Sequence, residues 1–308
     1  VHTKKIGNKL FMVELGTGGF ENLICSYIIA GEKPFLVESG PTSSVPRLLS
    51  GLKELKIDFE DIHYVALTHV HLDHGGGAGT LLKSLPNAKV IVHPRGLPHL
   101  VDPERLWASS QIVLGFISDI FGKPESIPKK RLIPMTEGFF DLGYGGKLNV
   151  TETIGHASHN LSFLESFNDG IFPGDAAGTY LPEFDVIVPT TPPPFHLEVA
   201  LSSLDKLISL KPKALYFSHF GKASDAVQRL RDYKVQLQLW ANIAEDGVKK
   251  NQSLEQIRDR IIREDKVMNR IVDFVKNHRI YSKTMLENCV LGFIEYAKQK
   301  WENPKGTA

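Results

Sequence analysis

Cys25 and Cys289 are the only cysteines among the 308 residues. Two thiols so far apart in sequence make neither a disulfide framework nor a cysteine-based metal site, and a reducing cytoplasm is the simplest compartment for them. Net charge is equally scarce. The chain carries 36 Lys plus Arg against 35 Asp plus Glu, a formal charge of +1, so no overall field steers it toward nucleic acid or anionic lipid. The most visible basic cluster, Lys129-Lys130-Arg131 after Pro128, reads as a solvated turn rather than a phosphate track. Long hydrophobic runs are missing too. The apolar stretch Leu23 to Ala30 is far too short to span a bilayer, and the opening Val-His-Thr-Lys-Lys-Ile lacks the apolar region of a signal peptide. A soluble, cytoplasmic protein with no membrane partner is therefore expected. No internal repeat or low-complexity segment is visible, and 42% hydrophobic residues with 26 Gly suit a compact, turn-rich globular chain of one large domain or two modest ones.

The first forty residues read as strands: Lys9 to Glu14, Leu23 to Ala30 and Phe35 to Glu38, punctuated by Gly16 to Gly19 and Gly31. Val45, Leu48, Leu49, Leu52 and Leu55 then recur at helical spacing, and His63 to Leu67 returns as a short apolar strand. A helix over Gly79 to Leu85 and a strand over Lys89 to His93 follow. The segment from about 95 to 133, broken by Pro98, Pro103, Pro124 and Pro128, reads as an inserted, partly helical lid. Strands are expected at Lys147 to Thr153, Leu161 to Glu165, Gly170 to Phe172 and Ala214 to Phe217. A long proline-rich loop ends at Pro194, and a helix bearing Leu197, Ala200, Leu201, Leu204, Leu207 and Ile208 leaves it. Beyond Ser224 only helical patterns remain: Val227, Leu230, Leu237, Ala241, Ala244 and Val248 on one face, and Met285, Cys289, Phe293, Ala297 and Trp301 on another. Ser253 with Gln256 forms a capping box, and Ser282 reads as an N-cap. The expected organisation is a catalytic domain over residues 1–222 and a helical C-terminal subdomain over 223–308 that shapes the pocket or supplies a homo-oligomer contact.

The informative run is Thr68-His69-Val70-His71-Leu72-Asp73-His74-Gly75-Gly76, just beyond a strand end. Histidines two apart in extended chain point to one side, and Asp73 and His74 follow as the glycines turn the chain, so four ligand-type side chains converge. Loops at strand ends are where α/β architectures gather ligands.

The run matches in full the His-x-His-x-Asp-His signature of the metallo-β-lactamase superfamily, which the chain resembles over about residues 10 to 222. His156 in Ile-Gly-His-Ala-Ser-His, Asp175 in Pro-Gly-Asp-Ala and His219 in Ser-His-Phe-Gly look like the later motifs, in the expected order. The resemblance implies a four-layer αββα sandwich, here with an all-helical C-terminal subdomain. It also implies one metal on His69, His71 and His156, a second on Asp73, His74 and His219, and Asp175 bridging. Two sequence departures stand out: Glu38 where the family usually has aspartate, and Ile154 where proline is common. Neither is expected to touch a ligand.

Five neutral imidazoles and two carboxylates suit two divalent ions, zinc first, with iron or manganese as alternatives, and the absence of thiolates argues against a closed structural zinc site. Ions about 3.5–4 Å apart would hold and deprotonate a bridging water. Asp73 would orient the nucleophile or pass its proton to the leaving group. Phe20, Tyr180, Phe184, His196 and Phe220 are candidates to touch a small-molecule substrate, while His93, His99 and His159 read as structural.

The expected activity is hydrolysis of a small thioester, lactone or ester, of the glyoxalase II or lactonase kind. A nuclease of the ribonuclease Z kind is disfavoured by the balanced charge, and an iron persulfide dioxygenase by the complete second site. A flavodiiron carrier would need an acid at position 71 and a flavodoxin-like domain, and the chain offers neither. A metal-binding protein without activity is disfavoured because no ligand is missing.

Overall fold

The structure, a computed structural model, describes residues 2–302. Its contacts divide the chain into two compact units. The first comprises Val1–Glu152, His159–Gly174 and Pro212–Ala226, and the second Thr153–Ser158, Asp175–Lys211 and Val227–Ala308.

In the first unit, β1 (Thr3–Gly7), β2 (Leu10–Glu14), β3 (Cys25–Ile29), β4 (Phe35–Val37), β5 (Tyr64–Ala66), β6 (Lys89–Val92) and β7 (Leu132–Pro134) lie side by side in chain order as a seven-stranded sheet. Pairing is antiparallel from β1 to β4 and parallel from β4 to β7. The change follows the connections. Short glycine turns can only fold back, whereas α1 (Val45–Glu54), α2 (Ala78–Leu82), and the trio α3 (Leu97–Val101), α4 (Glu104–Leu114) and α5 (Phe116–Phe121) are crossovers long enough to return the chain in the same sense. The segment after residue 95 is thus partly helical, as its pattern suggested.

A second sheet of six strands runs β15 (Gly221–Ser224), β14 (Ala214–Phe217), β11 (Gly170–Phe172), β10 (Leu161–Glu165), β9 (Gly146–Glu152), β8 (Gly138–Gly143). The two sheets share one core, in which Leu10, Tyr27, Phe35 and Ile91 of the first meet Leu148, Phe163, Phe172 and Tyr216 of the second. Tyr27 sits at the seam, its ring 5.0 Å from Phe172 and 5.9 Å from Tyr216, with its hydroxyl donating to the Phe217 carbonyl.

Several strands escape the sequence pattern. β1 is an edge strand with charged, exposed positions, and β8 leaves Phe139 57% exposed, so neither shows clean alternation. In the second unit, the stretch read as a long loop holds the hairpin β12 (Thr179–Leu181) and β13 (Val186–Val188). Arg131 also departs from the solvated-turn reading. Its guanidinium donates to the carbonyls of Leu82, Leu85 and Ala88, satisfying acceptors at and beyond the C-terminal end of α2.

The second unit is otherwise helical: α6 (Leu197–Ser209), α7 (Ala226–Lys249), α8 (Leu254–Glu264), α9 (Lys266–Asn277), α10 (Tyr281–Lys283), a π turn (Thr284–Asn288) and α11 (Cys289–Glu302). Leu230, Leu237, Ala241 and Ala244 form the buried stripe of α7. Phe293 of α11 packs at 4.8 Å from Phe195 and 5.7 Å from Trp240. The Ser253–Gln256 capping box is present. Ser282, in contrast, lies inside α10, which Ile280 precedes, and Trp301 is 61% exposed because the last turn of α11 runs past the core.

Asp265 is the polar anchor of this unit. One carboxylate oxygen of Asp265, itself 3% exposed, accepts from the backbone N–H groups of Val267 and Met268 to cap α9, and the other accepts from Trp240 Nε1 at 2.7 Å and Gln236 Nε2 at 2.8 Å. Removing it costs a cap and strands buried donors together. Asp265→Ala is expected to lower stability by about 2–4 kcal/mol in urea unfolding followed by far-UV circular dichroism. A change below about 0.5 kcal/mol, the size of a neutral surface substitution, would show that the anchor carries no load.

Candidate metal centre

β5 stops at Ala66, and the chain turns through residues 69–77. The His71 carbonyl accepts from the backbone N–H groups of His74 and Gly75 at 3.0 and 2.9 Å, which folds Asp73 and His74 back beside the first two histidines. Gly76 is required there: a Cβ would lie 2.3 Å from the Leu72 carbonyl oxygen. The expected convergence is observed, with the His69 ring centroid 4.6 Å from that of His71 and 4.0 Å from that of His74.

A carboxylate and two carbonyls orient the imidazoles. His74 Nδ1 donates to Glu38 Oε1 at 3.1 Å, His219 Nδ1 to the Leu23 carbonyl at 2.8 Å, and His156 Nδ1 to the Thr190 carbonyl at 2.8 Å. His69 Nδ1 reaches Thr68 Oγ1 at 3.0 Å, and that hydroxyl in turn donates to Glu38 Oε1, leaving its lone pair to accept. Acceptors at Nδ1 place the proton there and direct the lone pair of each neutral ring through Nε2. Donation of this kind also raises the basicity of the opposite nitrogen.

His74 Nε2 and His219 Nε2 then stand 3.2 Å apart, and His219 Nε2 is 3.2 Å from Asp73 Oδ2. The ligand atoms of Asp73, His74 and His219 all lie within 4.8 Å of one another. Two facing lone pairs and a carboxylate at this separation repel unless a cation lies among them. The donor set therefore fits a divalent metal of borderline softness. Burial works to raise the Asp73 pKa, whereas positive charge around it works the other way: with His74, His219 and His71 protonated, the carboxyl is held well below its usual range.

In the second unit, His156 and Asp175 are both buried, and His156 Nε2 faces Asp175 Oδ2 at 3.7 Å.

Glu38 is the residue whose part was missed. It was expected to touch no ligand, yet it accepts from ligand-type His74 directly and from Thr68 and Ser218, the neighbours of His69 and His219. The available signal was its place at a strand end beside β5, since strand ends on one sheet edge share a loop layer. His159, read as structural, has its ring 5.6 Å from that of His71 and 6.2 Å from that of His99. His93 is structural, accepting from the backbone N–H of Arg95 at Nδ1 and donating from Nε2 to Glu152 at 2.6 Å.

The candidate substrate residues are scattered in character. Phe20 is half-buried and His196 exposed at the start of α6. The Tyr180 hydroxyl donates to Asp185 at 2.7 Å, and Phe184 packs edge-on at 5.1 Å from Phe274. Phe220 belongs to the core between the sheets, which accounts for its burial.

Comparison with known proteins agrees with these motifs. Residues 23–219 match the family model of the metallo-β-lactamase superfamily. The metallo-β-lactamase fold-containing protein ST1585 of Sulfurisphaera tokodaii is 31% identical over 227 residues, which span 71% of this chain and 80% of that protein. The structure of ST1585 from Sulfolobus tokodaii matches with a TM-score of 0.67 at 25% identity, covering 95% of this chain and 100% of that one. The N-acyl homoserine lactonase AttM of Azorhizobium caulinodans is 32% identical over 113 residues, 37% of this chain and 39% of the lactonase. The chain belongs to the metallo-β-lactamase superfamily, and it is a metallo-hydrolase with that family's αββα fold and a helical C-terminal region.

Proposed function

We propose that the protein is a dinuclear metal-dependent hydrolase acting on the carbonyl of a small thioester, lactone or ester. In this reading, which follows the motif order of the sequence, His69, His71 and His156 would hold one divalent ion, Asp73, His74 and His219 a second, and Asp175 would be the remaining ligand. Zinc suits the imidazole and carboxylate donors, as do iron and manganese. The observation that carries the reading is the set of imidazoles whose Nδ1 atoms are committed to acceptors, so that their Nε2 lone pairs are presented for coordination.

When bound, the ions supply Lewis acidity, making a nucleophile from water near neutral pH and polarising the substrate oxygen. The chain's own residues do the rest. The Asp73 carboxylate would orient the attacking water and would be the group to pass its proton to the leaving atom. Half-buried Phe20 and exposed His196 are assigned to substrate contact. Tyr180, Phe184 and Phe220 already have structural contacts that explain their positions, and we assign them no substrate contact.

A small carbonyl substrate is favoured over nucleic acid by the lack of cations in the β12–β13 stretch and by the engagement of the arginines that reach it. Residues 176–195 contain no Lys or Arg. Arg229 and Arg270, which do reach this hairpin, bind Asp185 and the Phe184 carbonyl, and Arg131 is engaged by backbone carbonyls. Polyanion binding needs many free phosphate contacts. The lactonase activity of AttM, a relative over part of the chain, points the same way.

Elemental analysis of metal-reconstituted protein should find up to two ions per chain. His71→Ala and Asp175→Ala should each reduce kcat/KM by more than about a hundredfold, beyond the ten- to hundredfold typical of residues that only support a ligand, with far-UV circular dichroism unchanged. Saturation at one ion with undiminished turnover in either variant would overturn the dinuclear assignment.

A panel of thioesters, lactones and aryl esters, run beside structured RNA and single-stranded DNA on one metal-loaded preparation, addresses the substrate class. Turnover of an acyl compound is expected. Salt-sensitive cleavage of nucleic acid without acyl hydrolysis would reverse the ranking.

A further inference from the structure

We infer that Glu38 is a positioning residue whose length, one methylene beyond aspartate, sets the spacing of ligand side chains drawn from both sheets. The inference rests on the metal-centre reading above and deepens it. Glu38 follows β4 and is fully buried. Its backbone is fixed independently of its side chain: its own N–H donates to the Ala66 carbonyl at 2.9 Å, and the N–H of Ser39 donates to the His74 carbonyl at 3.1 Å. The side chain must therefore reach its partners from a fixed origin.

The partners come from separate places in the sequence. Glu38 Oε1 accepts from Thr68 Oγ1, from His74 Nδ1 at 3.1 Å and from Ser218 Oγ at 3.2 Å, while Oε2 lies 3.4 Å from the Thr68 backbone nitrogen. Thr68 relays the contact to His69 Nδ1 at 3.0 Å, and Ser218 is the residue before His219 at the end of β14 in the second sheet. One carboxylate thus ties down the loop after β5 and the loop after β14. Every group pointed at it is a donor, so a side chain that offers two acceptor oxygens is the chemistry the pocket demands.

Two substitutions separate charge from reach. Glu38→Asp keeps the charge but withdraws the oxygens by one carbon–carbon bond, about 1.5 Å, more than the slack in a hydrogen bond of ordinary length. Glu38→Gln keeps the reach but replaces one acceptor with an amide donor. A space-filling group alone would satisfy packing in either case, whereas a positioning role makes both deficient.

The test measures metal affinity and the ligand field instead of turnover. Wild-type, Glu38→Asp, Glu38→Gln and Thr68→Val proteins are freed of metal, checked by circular dichroism, and titrated with zinc against a chromophoric chelator; cobalt-loaded samples supply a visible absorption spectrum. The two Glu38 variants are expected to keep the fold, bind zinc about ten- to hundredfold more weakly, and shift the cobalt bands. Thr68→Val, which severs only the relay to His69, should show a smaller loss in the same direction. Wild-type affinity and an unchanged spectrum in both Glu38 variants would overturn the inference. Should those variants lose their fold, Thr68→Val decides, and unaltered zinc binding there overturns it. Wild-type protein that takes up no ion at all would instead sink the underlying metal-centre reading, and this inference with it.

Discussion

The site depends on an electrostatic conflict that the fold keeps in place. His74 and His219 come from opposite sheets, yet their Nε2 atoms are held 3.2 Å apart with Asp73 beside them. Left alone, neutral imidazoles would relieve this by rotating, but each Nδ1 is tied to an acceptor that is itself anchored in a strand end or the buried carboxylate of Glu38. The sheets are joined by a core with Tyr27 at its seam, so separating the rings would mean opening that core. Core packing of this kind is worth several kcal/mol per large buried ring. A packed sandwich can therefore hold a ligand set in an arrangement that only a cation makes favourable.

Much of this was legible in advance, for identifiable reasons. The ligand loop could be read because its chemistry is local: histidines two apart, an acid and a glycine turn lie within one short run. His156, Asp175 and His219 were picked out through motif order, each following a strand, with the apolar character plain in β11 and β14. Strands that pack on both faces, such as β10 and β11, were found with their observed limits because burial leaves nearly unbroken apolar runs.

The failures share a cause as well. β1 and β8 are edge strands whose pairing is satisfied by backbone bonds, so composition says little about them. Arg131 looked like a surface cation because its partners are main-chain carbonyls, which leave no trace in a list of side chains. Glu38 was passed over because its partners are 30, 36 and 180 residues away in the chain. Sequence proximity exposes ligands that share a loop. It hides the acceptors behind them, which are brought near only by the order of strands in a sheet.

The same distinction bears on specificity. The metal-binding loop can serve many reactions, since Lewis acidity and an ionised carboxylate are indifferent to what carries the carbonyl. Selection must then fall to groups that meet the rest of the substrate, and there the chain is distinctive for how its cations are spent. Arg131 is engaged with carbonyls of Leu82, Leu85 and Ala88, and Arg229 pairs with Asp185 while lying over the Tyr180 ring. A cation already paired must lose that partner before it can bind a phosphate, and the exchange returns little net free energy. Near-zero net charge adds no long-range attraction to offset that exchange. A compact, uncharged acyl group needs neither. Shape and a polarised oxygen would suffice to recognise it, which is why this distribution of charge supports the proposed acyl substrate over a polyanion.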